Sequence, residues 1–198
     1  MQYKLIFDLG NVLFPLDYDE LEQWLTTTVE IYDENFKFQF DELYGNYEAG
    51  DFDTPEFFSK LKSDLHMVFD EDVFQKKWVS IWKRNFEDMH ELIYELQKKH
   101  SLILLSNTNQ MHMETYLKEQ PILKAFDKTY YSYLLGFTKP NPRIYQAVQQ
   151  DLRLTPSQII FFDDKPENVE GACKVGWQAF VFKNATGVIE ILNNLEIS

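Results

Sequence analysis

The chain has 198 residues, of which 44% are hydrophobic and 26% are charged, a composition typical of a folded globular protein rather than a disordered one. This length accommodates one medium-sized domain, or a domain with a smaller insertion. The formal net charge of -13 argues against nucleic acids and anionic membrane surfaces as partners, because both recognise a basic protein surface.

Residues 1–14 lack the basic start and the small-residue cleavage site of a signal peptide, and no apolar stretch approaches the length of a membrane span. Cys173 is the single cysteine of the sequence, which rules out an internal disulfide and is typical of a reducing compartment. We therefore expect a cytoplasmic protein without a membrane partner. The sequence does not indicate an oligomeric state.

The first predicted element is a strand that begins close to the N-terminus and ends at Asp8. The apolar run Leu5–Phe7 precedes this carboxylate, and Gly10 follows it in a turn. A short apolar run of this kind predicts a buried strand, and a charged residue at its end requires an explanation.

Residues from about 17 to 85 contain no strand-like run of comparable strength, and their aromatic residues recur at helical spacing. The segment Asp53-Thr54-Pro55-Glu56 predicts a helix start, because Asp is favoured at the N-cap and Pro in the first turn. We predict a helical cap, residues 17–85, inserted into a core formed by residues 1–16 and 86–198. Most of the aromatic side chains should pack inside this cap.

From about residue 102 onward, strand-like runs alternate with helical stretches. A capping box, in which Thr155 pairs with Gln158, predicts a short helical turn just before one of these strands. The predicted strands are 102–105, 129–132, 159–162 and 179–182, and the predicted helices are 142–150, which Asn141-Pro142 starts, and 167–175. Such alternation predicts parallel βαβ units, and hence an α/β fold with a Rossmann-like parallel sheet and helices on both faces.

Polar side chains follow three of the predicted strands. Asp8 ends the first strand, Ser106 and Asn107 follow the run at 102–105, and Asp163 and Asp164 follow the run at 159–162. In an open parallel sheet, ligands bind outside the carboxyl ends of the strands. We therefore expect these side chains to converge on one site, although they lie far apart in the sequence.

Four motifs, in the same order along the chain, resemble those of the haloacid dehalogenase-like hydrolases. They are Phe7–Leu13 (Phe-Asp-Leu-Gly-Asn-Val-Leu), Leu105–Asn109, Lys139–Tyr145 and Phe162–Asp164, and Tyr47–Phe52 also resembles a segment of that family's helical cap. The nearest resemblance is to the branch that contains the glucose-1-phosphate phosphatases. It implies Mg²⁺-dependent hydrolysis of a small phosphorylated metabolite, with a sugar phosphate as the expected substrate.

The chemistry of such a site gives each motif a role. Asp8 is the predicted nucleophile, which attacks phosphorus to form an aspartyl-phosphate that water then hydrolyses. A carboxylate near a phosphate dianion is repelled by about 4 kcal/mol per charge pair at about 4 Å and moderate dielectric, so the site needs cations. Asp8 and Asp163 offer hard oxygen ligands for Mg²⁺, and the resemblance adds the Gly10 carbonyl. Lys139 supplies the second positive charge, holding Asp8 and the transferring phosphoryl group.

The remaining polar residues of the motifs receive supporting roles. Ser106 and Asn107 can donate hydrogen bonds to phosphate oxygens. Asp164 stands three residues before Glu167, so we expect it to cap the next helix and to support the metal ligands without binding the metal itself. No role in the site is assigned to residues that ordinary surface or core positions explain, namely Arg143, Lys165, Cys173 and the four histidines.

Position 10 departs from the commonest pattern of the family. Most of its phosphatases have a second aspartate there, two residues after the nucleophile, which protonates the leaving group and then activates water. Gly10 can do neither, and a general acid normally contributes about 10² to 10⁴ in rate. Either the leaving group needs little protonation, as in a sugar 1-phosphate, or the cap supplies a substitute acid, with Glu48, Asp17 and Asp19 as candidates.

Two alternative functions use the same motifs. A haloacid dehalogenase also lacks the second aspartate, because halide leaves without a proton; it would use Asp8 against carbon and would need no metal. The first motif contains no halide-binding arginine, which disfavours this alternative. The other alternative is a non-catalytic phosphate-binding regulator, which the retention of Asp8, Lys139 and Asp163 disfavours.

Overall fold

The computed structural model describes residues 3–82 and 85–197. The strands in this part of the chain are β1 (Lys4–Phe7), β2 (Ser101–Ser106), β3 (Lys128–Tyr131), β4 (Ile159–Asp163) and β5 (Gln178–Val181). They form a parallel five-stranded sheet in the order β3-β2-β1-β4-β5. Residues 1, 2, 83, 84 and 198, which the predicted domain ranges include, lie outside the described residues.

The helices account for most of the remaining chain. They are α1 (Asp19–Leu25), α2 (Glu34–Glu48), α3 (Thr54–Ser63), α4 (Glu71–Val79), α5 (Glu87–Leu96), α6 (Gln110–Thr115), α7 (Ser132–Leu135), α8 (Pro142–Leu152), α9 (Pro166–Lys174) and α10 (Ala185–Asn194). Short 3₁₀ turns lie at Leu117–Glu119, Pro121–Ala125 and Pro156–Gln158. Over the ranges 3–82 and 85–197, no helix is both long and apolar enough to span a bilayer.

Both faces of the sheet are covered, which explains why its strands read as continuous apolar runs. Leu5 and Phe7 of β1 belong to one buried cluster, which includes side chains of α5 and α10. Ile6 points to the opposite face and belongs to a second cluster, with side chains of α8 and α9. This arrangement confirms the predicted Rossmann-like α/β sheet with helices on both faces.

The predicted helix starts are confirmed where the side chain of the cap reaches the first turn. Asp53 accepts a hydrogen bond from the backbone N–H of Glu56 (3.0 Å), and the reciprocal capping box is complete. The Asn141 side chain caps α8 by accepting the Arg143 N–H at 3.0 Å. Thr155 and Gln158 form the predicted capping box before β4.

The predicted cap at Asp164 is wrong. Helix α9 begins at Pro166, so Lys165 occupies the N-cap position and makes no side-chain cap bond. Proline favours the first helical position, because its fixed φ suits the helix and its missing N–H would have no partner there. Proline therefore sets the helix start one residue later than a cap at Asp164 requires, and Asp163 instead accepts the N–H of Lys165 at 2.9 Å.

Helices α1 to α4 lie between β1 and α5 in the chain and pack around aromatic rings. The rings of Phe57 and Phe74 lie with centroids 5.6 Å and 5.2 Å from that of Trp78. The same buried cluster continues into the sheet through Leu5 and Phe7. The interior thus runs without a break from the helical insertion to the sheet, and the domain boundaries at 16/17 and 85/86 stay a proposal.

His112 of α6 connects the sheet-bearing part of the molecule to the helical insertion. Its Nε2 lies 3.2 Å from the carbonyl oxygen of Trp78 in α4, and its Nδ1 lies 3.3 Å from the side-chain amide of Asn109. Burial lowers the pKa of His112 to about 3 from its ordinary 6.5. The folded protein therefore keeps this ring neutral at a pH where an unfolded chain would protonate it.

We predict that His112 makes the fold sensitive to acid. Its folded pKa is depressed, so the unfolded state binds the extra proton and stability falls as the pH drops from 6.5 toward about 3. At about pH 5, the free energy of unfolding should lie about 2 kcal/mol below its neutral value through this residue alone. Urea unfolding at both pH values, for wild type and His112→Gln, measures the effect. The glutamine can still donate to the Trp78 carbonyl but cannot titrate, so an unchanged pH dependence would contradict the prediction.

Candidate active site

The carboxyl ends of β1, β2 and β4 bring the predicted polar residues together. Asp8 follows β1 directly, and its backbone N–H donates to the Phe162 carbonyl of β4 at 2.9 Å. Ser106 and Asp163 are the last residues of β2 and β4. All three strands are parallel neighbours, with β1 in the centre, so their polar ends meet at one edge of the sheet.

The Lys139 side chain lies between two carboxylates at this edge. Its Nζ donates to Asp8 Oδ1 (2.7 Å), to Asp163 Oδ2 (2.5 Å) and to the Leu105 carbonyl (3.0 Å). The three hydrogens of the ammonium group therefore each have an acceptor, which is the condition for burying such a charge. The side chain of Lys139 is only 1% exposed, and those of Asp8 and Asp163 are 10% and 0% exposed.

Burial and charge act in opposite directions on these groups. Burial raises the pKa of Asp8, an effect that Lys139 opposes and the Asp163 charge reinforces. Burial alone would lower the pKa of Lys139, but the two carboxylates outweigh it and raise this pKa above its ordinary value. The lysine is thus firmly cationic, whereas the nucleophile candidate needs that cation to stay ionised.

Asn107 holds the backbone of Lys139 in place. Its Oδ1 accepts the Lys139 N–H at 2.8 Å, and its Nδ2 donates to the Lys139 carbonyl at 2.9 Å. Ser106 is buried, and its hydroxyl donates to the Asn107 carbonyl at 3.2 Å. The side chains of both predicted substrate-binding residues are therefore engaged within the protein, and the Asn107 amide positions the lysine.

The carboxylates of Asp8, Asp163 and Asp164 form a cluster in which one oxygen from each lies within 4.8 Å of the others. Asp164 is half-buried, and its Oδ2 accepts a hydrogen bond from Asn11 Nδ2 at 3.0 Å. Asn11 has a left-handed backbone (φ 53°), and its Oδ1 accepts the Leu16 N–H at 3.0 Å. Asn11 was not among the predicted site residues, although asparagine in a turn after a strand is a known signal for this conformation.

Asp163 and Asp164 differ in how many hydrogen bonds they accept. Asp163 receives Lys139 on Oδ2, and on Oδ1 the Lys165 N–H and Asn168 Nδ2, both at 2.9 Å. Within the described chain, Asp164 accepts a hydrogen bond on Oδ2 alone. Asp164 therefore keeps more acceptor capacity for another ligand than Asp163, which already accepts three hydrogen bonds.

A cavity of about 170 Å³, the inner cavity, lies next to this cluster, between the sheet edge and the helical insertion. It adjoins a larger cavity of about 430 Å³ inside the insertion, and both touch Tyr18, Tyr44, Ile81, His112 and Lys165. The residues that line the inner cavity are Asp8, Gly10, Asn11, Leu16, Tyr18, Tyr44, Glu48, Ile81, Trp82, Asn107, His112, Lys139, Asp164, Lys165 and Asn168. Lys165 and His112, to which the sequence analysis assigned no role, thus border the site.

The structure separates the three candidate acids of the cap. Glu48, the last residue of α2, lines the inner cavity. Asp17 and Asp19 are exposed and lie outside the lining of that cavity, and Asp17 Oδ1 accepts the Asp19 N–H at 3.2 Å where α1 begins. Of the three, Glu48 is therefore the candidate that the fold brings to the site.

We predict that Lys139→Met destabilises the fold strongly in metal-free buffer. The change leaves two buried carboxylates without their cation, and breaking a buried ion pair from one side costs about 3–5 kcal/mol. The loss of stability should become smaller as the pH falls, because the two carboxylates left without a cation then become protonated. Urea unfolding at two pH values measures both effects, with the exposed Lys183→Met as the matched control. A loss no larger than that of the control would show that the cluster does not hold the strand ends together.

Comparisons with known proteins agree with this geometry. Residues 5–176 match the family model of the haloacid dehalogenase-like hydrolases. The chain is 27% identical over 191 residues to a D-ribitol-5-phosphate phosphatase of Bacteroides thetaiotaomicron, and the match covers 91% of this chain and 92% of that protein.

Solved structures extend the likeness to three dimensions. A HAD family enzyme of Bacteroides thetaiotaomicron, in complex with magnesium and inorganic phosphate, matches with a TM-score of 0.81 and 26% identity, covering 93% of this chain and 96% of that one. A HAD-like hydrolase of Porphyromonas gingivalis gives a TM-score of 0.84 at 24% identity, with 100% and 99% of the two chains covered, which shows the shared fold. The resemblance to the glucose-1-phosphate phosphatase branch finds no support among these relatives.

Proposed function

The chain belongs to the haloacid dehalogenase-like hydrolase family and is a hydrolase, and from this premise we propose that it is a Mg²⁺-dependent phosphatase of small phosphorylated carbohydrates. The observation that carries the proposal is the buried ammonium of Lys139, which joins Asp8 to Asp163 beside a third carboxylate, Asp164, at one end of a cavity. A carboxylate held next to a fixed cation is arranged to attack a phosphate ester, whose own charge would otherwise repel it.

In this proposal Asp8 acts as a covalent nucleophile. A carboxylate oxygen of Asp8 forms a bond to phosphorus, and the ester bond between phosphorus and the alcohol oxygen breaks. Lys139 holds Asp8 Oδ1 at 2.7 Å, which fixes the carboxylate and places a positive charge where the phosphoryl group transfers. Water then attacks the phosphorus of the aspartyl-phosphate, which releases inorganic phosphate and restores Asp8.

The residues at the sheet edge fit a magnesium ion. Two carboxylates bind one ammonium group and a third belongs to the same cluster, so the cluster has excess negative charge and hard oxygen donors of the kind that Mg²⁺ prefers. We propose Asp8, the Gly10 carbonyl and Asp164 as its protein ligands. Asp163, the ligand expected from the sequence, already accepts three hydrogen bonds and serves in this proposal to hold Lys139. When bound, the ion would offset the negative charge of the phosphate group.

The proposed substrate is a phosphorylated sugar or sugar alcohol. The inner cavity, of about 170 Å³, offers space for a small ligand at the carboxylate cluster, and polar side chains of the helical insertion border it. A relative that matches nearly the whole chain is a D-ribitol-5-phosphate phosphatase, which supports this substrate class. The exposed, unpaired Cys173 suits a reducing compartment, and we place the enzyme in the cytoplasm as part of the proposal.

We predict that Asp8→Asn abolishes turnover while the protein stays folded. Asparagine is nearly isosteric with aspartate but is a far poorer nucleophile, so the rate should fall by about 10³-fold or more with little change in melting temperature. Phosphate release from a panel of phosphorylated sugars and sugar alcohols measures this, with Asp72→Asn, an exposed aspartate of α4, as the matched control.

Other results on the same panel would overturn the proposal. Turnover by Asp8→Asn close to that of wild type would remove the covalent mechanism. Metal-free halide release from a 2-haloacid by the wild-type protein would identify a dehalogenase. Binding of phosphate esters without any turnover would identify a regulator.

We predict that chelation abolishes activity and that added Mg²⁺ restores it. Asp164→Asn should raise the Mg²⁺ concentration needed for half-maximal activity by about tenfold or more, since it removes a ligand. Asp163→Asn should leave that concentration nearly unchanged but lower the stability, because both Asp163 oxygens accept hydrogen bonds and the amide nitrogen of asparagine would face a donor at one of them. Magnesium titrations of both variants measure this; the reverse ranking would return the ligand role to Asp163, and full activity after exhaustive chelation would exclude the metal.

A further inference from the structure

The proposed phosphatase mechanism, on which this inference rests, needs a proton donor that the sheet edge does not provide. Gly10 stands where a second acid would be expected, and Lys139 engages both Asp8 and Asp163. Hydrolysis of an ordinary alkyl phosphate without an acid would have to expel an alkoxide, a poor leaving group. The donor has to come from another wall of the cavity.

The helical insertion offers few groups that could supply this proton. His112 lines the cavity, but both of its ring nitrogens have partners, and burial lowers its pKa to about 3. Burial raises the pKa values of Tyr18 and Tyr44 above their ordinary range, so these phenols are poor acids. Among the described residues, Glu48 is the one carboxyl group that the insertion contributes to the lining of this cavity.

We propose that Glu48 protonates the leaving alcohol oxygen and then removes the proton from the attacking water. It lines the same 170 Å³ cavity as Asp8, Lys139 and Asp164, from the wall contributed by the helical insertion. The acid and the nucleophile thus come from different parts of the fold, one from helix α2 and one from the end of strand β1.

The C-terminal end of α2 is fixed against the sheet-bearing part of the molecule, which gives Glu48 a defined position. The hydroxyl of Tyr47, its neighbour, accepts the Met111 N–H at 3.0 Å and lies 2.6 Å from the hydroxyl of Thr54. Gly50, two residues further, has φ +79°, and a Cβ at this position would lie 2.1 Å from the Tyr133 carbonyl oxygen. The backbone at Gly50 therefore lies too close to α7 for any larger residue, while the Tyr47 side chain binds α6.

The surroundings of Glu48 suit a group that both gives and takes a proton. Burial raises the pKa of Glu48, which the hydrogen bond from Tyr44 at 2.6 Å and the charges of Lys165 and Lys139 oppose. This hydrogen bond falls on Oε1, so Oε2 is the oxygen that can carry the proton. The other titratable groups of the cavity are Tyr18 and His112 from the helices, and Asp8 and Asp164 from the sheet edge.

Both half-reactions balance with this residue. In the first, the bond from Asp8 to phosphorus forms and the phosphorus–oxygen ester bond breaks, while the leaving oxygen takes the proton of the Glu48 carboxyl group and departs as an alcohol. In the second, the Glu48 carboxylate takes a proton from water as the water oxygen bonds to phosphorus, and the bond from Asp8 to phosphorus breaks. Glu48 ends protonated and Asp8 ends ionised, as at the start.

The dependence of rate on the leaving group tests this assignment in the full-length protein. Wild type should cleave a series of aryl phosphates and D-ribitol 5-phosphate with a shallow dependence on the pKa of the leaving alcohol. Glu48→Gln should lose about 10² to 10⁴ in kcat/KM on the alkyl phosphate and less than about tenfold in kcat/KM on 4-nitrophenyl phosphate, whose leaving group needs no proton, because kcat/KM reports the step that forms the aspartyl-phosphate. Asp19→Asn, which changes an exposed carboxylate outside the cavity, should follow wild type.

Three results would overturn the role of Glu48. They are a wild-type profile in Glu48→Gln, an equal loss of kcat/KM on every substrate of the series, and a steep dependence of kcat/KM on the leaving-group pKa already present in wild type. If Glu48→Gln does not fold, Glu48→Asp keeps a carboxyl group and should be slower but retain the shallow dependence; a steep one overturns the role. Activity in Asp8→Asn would instead overturn the phosphatase mechanism itself, so the two failures are distinguishable.

The pH profile separates a proton-transfer role from a structural one. Tyr44→Phe removes the hydrogen bond that lowers the pKa of Glu48, so the alkaline limb of kcat/KM on the alkyl phosphate should move to higher pH. In Glu48→Gln that limb should disappear. An alkaline limb that stays in place in both variants would exclude Glu48 as the acid.

Discussion

The buried ammonium of Lys139 is the interaction on which the rest of this structure depends. Two carboxylates from different strands end at the same edge of the sheet, and without a cation between them they would repel each other in a poorly hydrated environment. Lys139 satisfies both, and it also donates to the Leu105 carbonyl of β2. The ends of β1, β2 and β4 are thus connected through the Lys139 side chain. The side-chain amide of Asn107 binds the backbone N–H and carbonyl of Lys139 and so holds this residue in place.

The same charge distribution directs the chemistry. One ammonium group does not balance three clustered carboxylates, so the sheet edge favours an additional cation and disfavours a bare anionic substrate. A fourth carboxylate at this edge, where Gly10 stands, would add to this excess. Moving the acid to the helical insertion, at Glu48, places it on the far wall of the cavity from the cluster. With the charged groups at the sheet edge and the proton donor on the cap, the site can function although Gly10 stands two residues after the nucleophile.

Much of the fold could be predicted from the sequence because parallel strands covered on both faces are continuous apolar runs. The predicted strand at 159–162 and the observed Ile159–Asp163 differ by one residue for this reason. The convergence of Asp8, Asp163 and Asp164 could be predicted because all three follow the carboxyl ends of strands expected to be parallel. What the pattern could not decide was how the individual oxygens are used, since Pro166 moves the helix start and leaves Asp163, not Asp164, to accept the N–H groups of the next turn.

The cap was harder to predict because the relevant direction of each side chain depends on tertiary contacts. Glu48, Asp17 and Asp19 were equivalent candidates in the sequence, yet only the docking of Tyr47 and Gly50 against α6 and α7 decides that Glu48 borders the cavity. Asn11 likewise binds Asp164 and Asn107 binds Lys139, and no local sequence pattern reveals these distant partners.

The central claim is that Asp8 carries the phosphoryl group during turnover, and trapping that intermediate tests it most directly. The wild-type enzyme, mixed with excess D-ribitol 5-phosphate and Mg²⁺ and quenched in acid within one turnover, should gain the mass of one phosphoryl group. Reduction of the acyl phosphate with borohydride, followed by peptide mapping, should locate the group at Asp8. A phosphoryl group on any other residue, or rapid phosphate release with no trapped intermediate on the same timescale, would contradict the account.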